Sequence, residues 1–289
     1  MVSITAEELA VFSQYVKTET GIVIEKEKAY LLENRLSSLL RDEGCATFSE
    51  LYYKIKSDRR GALRNRVVDL ITTGETLFFR DASPFELLRH KIIPDLVDRR
   101  SRATSISPPL PIPIKIWSAA CSSGQEVYST AIVLREVLGD LKRYSIRLLG
   151  TDISDNAVAR ASYGAYNRFE MERGLPPAQL AKYFAQVGDT DSWKVRDEIR
   201  AMAAFQKLNL LSDFRHLGKF DIVMCRNVAI YFSEEDKKKL FDKVGEVLDR
   251  DGYLIVGSTE SISGLCPQFE SKRHLRSIFY QLADKRAAR

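Results

Sequence analysis

The 289 residues carry 45% apolar and 29% charged side chains, the proportions of a soluble globular chain long enough for one large α/β domain and a smaller companion. No run of about 18 apolar residues is present, which excludes a membrane-spanning helix, and the opening MVSITAEELAVF lacks the basic-then-apolar order of a secretory signal. The net charge of +5 admits an acidic partner without demanding nucleic acid. The four cysteines, Cys45, Cys121, Cys225 and Cys266, lie too far apart for a metal motif, so free thiols in a reducing cytoplasm are expected.

Residues 1–85 read as helices only. Thr5 is an N-cap candidate with acidic residues in the turn after it. Thr47 and Glu50 have capping-box spacing, and Leu31, Leu32, Leu36, Leu39 and Leu40 recur as a buried helix face requires. The run Lys54 to Arg66, KIKSDRRGALRNR, gathers basic residues on adjoining turns; it is either a solvated face or a surface for acidic helices. A further helix from about Pro84 to Arg99 leads into SRATSISPPLPIP, residues 101–113. Four prolines in six residues there exclude helix and inner strand and mark a connector.

The texture changes at Ile114. IKIWS, SIRLLGTD, FDIVMCRN and GYLIVGS are short apolar runs separated by helix-length segments, the pattern of a parallel sheet covered on both faces. SIFYQLAD adds a late strand. Between about 175 and 205 the pattern breaks, and SWKVRDEIRAMAAFQ is expected to hold two or three short antiparallel strands of an insertion. The predicted organisation is therefore an all-α unit (1–85), a connecting helix and loop (86–113), and an α/β sheet domain (114–289).

The first strand ends in small residues, Ala119, Ala120, Ser122, Ser123 and Gly124, where a ligand can touch main chain. A phosphate-binding loop needs a Gly-Lys-Ser/Thr ending and a dinucleotide fingerprint needs three spaced glycines; neither is here, so a nucleoside without phosphate fits better. The second strand ends in Asp152, which can accept from both ribose hydroxyls or, alternatively, cap the next helix. His90, His216 and His274 are scattered and suggest neither a metal site nor a triad. GSTES at 257–261 fails the Gly-x-Ser-x-Gly order of a nucleophile elbow.

Two further segments, TTGETLFFR (72–80) and FDIVMCRNVAIYF (220–232), join WSAACSSGQEVYS (117–129) and GTDIS (150–154) in a fixed order. With them the chain closely resembles the CheR family of chemotaxis methyltransferases, which transfer a methyl group from S-adenosylmethionine to glutamate side chains of chemoreceptors. The resemblance implies a Rossmann-like methyltransferase domain with a small antiparallel β insertion behind an all-α N-terminal domain. It also implies S-adenosylmethionine as cofactor, S-adenosylhomocysteine as product, and the cytoplasmic domains of methyl-accepting chemoreceptors as partners.

By position, the resemblance implies that Thr76 and Arg80 close over the cofactor, that Glu126 contacts it, and that Asp152 holds the ribose. In the same way Asn209 and Leu210 match the family's pair flanking the adenine, Arg226 and Asn227 the pair under the methionine part, and Tyr231 the tyrosine next to the transferable methyl. Arg80 and Tyr231 are the implied catalytic pair, and no metal is implied. The sequence departs from the family pattern at Gly74, where asparagine is usual, and at Gln125 and Val127, which replace glutamate and proline. The insertion lacks the glycine-rich turn of members that dock a receptor's tether peptide, which argues against tether binding. A cytoplasmic location, touching the membrane only through receptors, is expected. The cofactor motifs also fit a methyltransferase with another protein or small-molecule acceptor, or a non-catalytic module that senses the cofactor.

Overall fold

The computed structural model describes residues 2–103 and 110–283, so the middle of the Ser/Pro-rich connector lies outside the described residues. Four helices come first: α1 (Ala6–Thr20), α2 (Ala29–Asp42), α3 (Phe48–Ser57) and α4 (Ala62–Ile71). Thr5 caps α1 in a full capping box, exchanging bonds with Glu8, whose other oxygen accepts the Ser49 N–H and ties α1 to the start of α3. At α3 only half the expected box forms. Thr47 accepts from the Glu50 N–H, but the Glu50 carboxylate takes the Ala46 N–H instead. Phe12, Leu32, Leu36, Leu39, Phe48 and Leu51 form the buried centre of this unit.

A strip without regular structure, residues 72–82, leads to α5 (Ser83–Leu87), a wide turn over Leu88–Ile92, and α6 (Ile93–Ala103). In that turn the Ile93 N–H reaches Leu88, one residue further than in an α-helix, next to Pro94, which has no N–H to give. Phe78 in the strip packs with the sheet domain rather than with the four helices, so by packing that domain begins well before Ile114.

The main elements then follow as β1 (Ile112–Ala119), α7 (Gln125–Leu138), β2 (Tyr144–Asp152), α8 (Asp155–Tyr163), β3 (Ala165–Asn167), α9 (Arg168–Glu172), α10 (Pro177–Tyr183), β4 (Phe184–Gln186) and β5 (Ser192–Val195). After them come α11 (Asp197–Arg200), β6 (Ala203–Lys207), β7 (Phe220–Cys225), α12 (Glu234–Val247), β8 (Leu248–Val256), β9 (Phe269–His274) and β10 (Ser277–Leu282). Seven strands form one sheet in the order β6-β2-β1-β7-β8-β10-β9, with the first five parallel and β10 antiparallel to both of its neighbours, β8 and β9. Alternate residues feed two cores. Ile114, Ile116, Ile222, Met224 and Ile255 face one, and Trp117, Val223, Cys225 and Leu254 the other, which is why these strands read as unbroken apolar runs.

Three details differ from the sequence prediction. Pro113 does lie in an inner strand, paired with Ser145. The pairing of β1 to β7 starts only at Ile116, so that end of β1 is an edge that tolerates proline. The small antiparallel sheet, in the order β3-β5-β4, starts at Ala165, ahead of the predicted 175. SWKVRDEIRAMAAFQ supplies only one strand to it: the Ala203–Lys207 part pairs with β2 and is the edge of the main sheet. The strand β9, rich in charge along FESKRH, has no apolar signal in the sequence.

Candidate active site

The chain runs from β1 outward to β2 and β6, then returns to lay β7 on the other side of β1. This switch opens a crevice beyond the carboxyl ends of β1 and β7, where open α/β sheets bind ligands. Thr76, Arg80, Glu126, Asp152, Asn209, Leu210, Arg226, Asn227 and Tyr231, all nine residues singled out in the sequence, line this one cleft. The helical unit adds Thr20, Ile22 and Asp69 to its wall.

The loop after β1 turns on left-handed backbone at Ala120 (φ 58°), Ser122 (φ 50°) and Gly124 (φ 94°). Gly124 is obligatory, since a Cβ would stand 2.9 Å from the Ala161 methyl and 3.2 Å from the Tyr166 hydroxyl. Asp152 holds the loop from the tip of β2. One carboxylate oxygen accepts the Ser122 N–H at 2.8 Å and the other the Ser154 N–H at 3.0 Å. Burial pushes its pKa up against the pull of those N–H groups. The helix-cap alternative falls away, because Ser154 caps α8 by accepting from the Ala157 N–H. Ser154 also donates to Asp69 of α4 at 2.6 Å, joining the two units beside the cleft.

The strip 72–82 crosses the mouth. The Ser122 hydroxyl donates to the Gly74 carbonyl at 2.7 Å, and the Phe79 N–H donates to Ser129 at 2.9 Å. A Cβ at Gly74 would meet the Ser122 oxygen at 3.3 Å, a tight contact, so this glycine suits the close crossing. Arg80 is half-buried and gives one N–H to the Glu75 carbonyl at 3.0 Å. Phe79, Asp81 and Ala82 are all left-handed. Of the described non-glycine residues with positive φ, only Leu275 lies away from the loops that line the cleft.

Beneath the cleft, the Arg226 side chain is 1% exposed, with both terminal nitrogens bonded to protein. It donates to Glu126 at 2.8 Å, to Asp81 at 2.9 Å and to the Arg80 carbonyl at 2.9 Å, while its buried Nε has no partner. The second Glu126 oxygen accepts from Ser118 at 2.8 Å. Asn227 is left-handed (φ 57°), and its N–H goes to Glu260 at 2.6 Å. The same carboxylate accepts from Gly257 at 2.7 Å and Ile230 at 3.3 Å, fixing the loop that carries the half-buried Tyr231. The Tyr231 carbonyl accepts the Val23 N–H from the helical unit at 2.9 Å. On the opposite side the Asn209 amide donates to the Glu19 carbonyl at 2.8 Å, and Lys243 of α12 donates to the carbonyls of Leu210, Leu211 and Ser212.

Sequence reasoning missed Glu260 and Lys243, because each acts on main chain, which leaves no residue-type signature. The only trace was an acid three residues after Gly257, in the segment set aside as no nucleophile elbow. In the basic run, ion pairs take up Lys54 and Arg66, and Lys56 lies over the Tyr15 and Tyr52 rings, while Arg59 and Arg60 are exposed. Among the described residues no cluster of His, Cys, Asp and Glu could hold a metal. The lining combines a buried carboxylate, a small-residue loop and apolar side chains at Leu210, Ile153 and Val228, and two of its three arginines, Arg160 and Arg226, are already paired with Glu170 and with Glu126 and Asp81. It fits a nucleoside that carries no phosphate.

Residues 74–277 match the model of the CheR methyltransferase, SAM binding domain, and residues 7–72 that of the CheR methyltransferase, all-alpha domain. The chain belongs to the CheR methyltransferase family. It is 37% identical to chemotaxis protein methyltransferase 1 of Pseudomonas aeruginosa, over 93% of this chain and 96% of that one. A chemotaxis protein methyltransferase of Vibrio parahaemolyticus is 37% identical over 97% of this chain and 98% of its own length, and Cher2 of Pseudomonas putida 36% over 93% and 96%. As a CheR family member the chain is a methyltransferase with S-adenosylmethionine as its cofactor, in keeping with the phosphate-free nucleoside that the cleft fits.

Proposed function

We propose that the chain methylates glutamate side chains on the cytoplasmic domains of methyl-accepting chemoreceptors, forming methyl esters in chemotaxis-type signalling. The observation that carries this reading is the convergence of nine residues from separated segments on one crevice, with a cation, Arg80, at its mouth. Family membership and the names of the relatives support the same acceptor.

Bound in the crevice, S-adenosylmethionine supplies a methyl group activated by a sulfonium. The rest is positioning. Each Asp152 oxygen spends one acceptor site on a backbone N–H and keeps another for a ribose hydroxyl. Leu210 offers the adenine an apolar face, and the second hydrogen of the Asn209 amide remains to point at it. Glu126 is held by Arg226 and Ser118, so we assign Arg226 to fixing Glu126 and Asp81 rather than to direct contact.

An acceptor glutamate is ionised at neutral pH, so no general base is needed. Arg80 uses one hydrogen on Glu75 and turns the others to the incoming carboxylate, orienting one oxygen for in-line attack. Tyr231 donates to that carboxylate or packs its ring beside the cation. As the oxygen–methyl bond forms, the methyl–sulfur bond would break with its electron pair left on sulfur, giving the ester and neutral S-adenosylhomocysteine. Charge cancels, so excluding water helps, and alignment of the reacting atoms can contribute up to ~7–11 kcal/mol in favourable cases.

Incubation with methyl-labelled S-adenosylmethionine and receptor cytoplasmic domains tests the acceptor. Label released by mild base as methanol is expected. Base-stable label, or transfer only to small molecules, would overturn the reading.

A further inference from the structure

The β insertion has no tether-docking turn in its sequence, yet it grips both loops that form the cleft. We infer that it is a brace for the site: Tyr166 positions the loop after β1, and the Phe78–Gly174 contact positions Arg80.

Tyr166 on β3 is buried, and its hydroxyl donates to the Ser123 carbonyl at 2.7 Å, in the small-residue loop that faces the cofactor. Its ring meets that of Phe78 edge-on, with centroids 5.0 Å apart. Phe78 is fully buried, and on its other side stands Phe184 of β4, at 5.3 Å and again edge-on. Behind them Gly174, after α9, has φ 89°, and a Cβ there would overlap the Phe78 carbonyl oxygen. The glycine lets the insertion's backbone press directly on the backbone of the strip. Arg173 adds a bond to Glu75 at 3.1 Å.

The next residues are the left-handed Phe79, Asp81 and Ala82, with Arg80 between them. Three such residues within four positions persist only where the surroundings over-determine the backbone. The buried Phe78 ring and the Gly174 contact supply that constraint one to four residues away. The two arms act on different parts of the site, so they separate kinetically. Tyr166 governs how the cofactor loop is presented, and Phe78 with Gly174 governs where the Arg80 guanidinium points.

The Arg80 arm rests on the role proposed for it above, whereas the Tyr166 arm does not. The test uses the full chain with Tyr166→Phe, Gly174→Ala and Phe78→Leu, the last as a milder variant should Gly174→Ala fail to fold. Calorimetry with S-adenosylhomocysteine, kcat and KM with a receptor cytoplasmic domain, and melting temperature are read together. Tyr166→Phe should weaken the nucleoside about fivefold, the loss of one hydrogen bond, with a smaller change in kcat. Gly174→Ala and Phe78→Leu should lower kcat at least tenfold while nucleoside affinity stays within about threefold. Shifts in melting temperature alone, or equal losses of affinity and kcat in every variant, would overturn the brace. If the wild type leaves receptors unmethylated, the acceptor reading fails by itself, and the Tyr166→Phe affinity still decides the nucleoside arm.

Discussion

Asp152 is asked to do two things with one charge. In the role proposed for it, it must stay ionised to accept ribose donors beside the backbone ones, yet it is 8% exposed, and burial moves its pKa upward. The consequences have opposite signs. For the free protein, ionised Asp152 is a folding cost present above its raised pKa and relieved as pH falls through it. For the nucleoside complex, affinity is full above that pKa and lost as the carboxyl gains its proton. Nucleoside affinity should therefore fall as pH drops through the raised Asp152 pKa, at a higher pH than an ordinary carboxylate would set, and stay flatter in Asp152→Asn, measured by calorimetry. Asp152→Ala should weaken binding about tenfold or more at neutral pH, the scale of a charged hydrogen-bond acceptor. Arg80→Ala should instead cut kcat by about 100-fold, with folding intact and the nucleoside still bound; wild-type turnover would remove Arg80 from the mechanism.

The loops that end the strands are built against local preference. Ala120 holds φ 58°, a region that suits glycine. Ala120→Gly should raise the denaturant midpoint or leave it unchanged, unlike the usual loss for a new glycine, and a loss of about 1 kcal/mol would contradict the strain. Lys243 of α12 satisfies three carbonyls of the Leu210–Ser212 loop at once. Lys243→Met keeps the stem but strands those acceptors, so it should lower both melting temperature and nucleoside affinity. The strands, helices and crevice were legible in the sequence because apolar period and small-residue loops are written in side chains. The edge strand β9 was not, since its pattern is charged, and β6 was drawn into the insertion because AMAAFQ carries a weak strand signal at the point where the chain returns to the main sheet. Capping boxes were half legible: spacing identifies Thr47, but the Glu50 carboxylate finds a nearer donor in Ala46.

Across the molecule, the helical unit and the sheet domain meet at the cleft through the Ser154–Asp69, Asn209–Glu19 and Tyr231–Val23 bonds, so the site is shared between them. The face of the helical unit that carries Arg59 and Arg60 retains exposed positive charge after its neighbours have paired, which suits an acidic helical partner. Reversing both to Glu should slow receptor methylation about tenfold at low salt, with the gap closing at high salt and nucleoside binding unchanged. A salt-independent rate equal to wild type would make this face plain surface. The position of the nucleoside decides the account most directly. A crystal structure with S-adenosylhomocysteine should place the ribose hydroxyls on Asp152 and the sulfur between Arg80 and Tyr231. A nucleoside bound elsewhere, or with its sulfur turned away from Arg80, would contradict it.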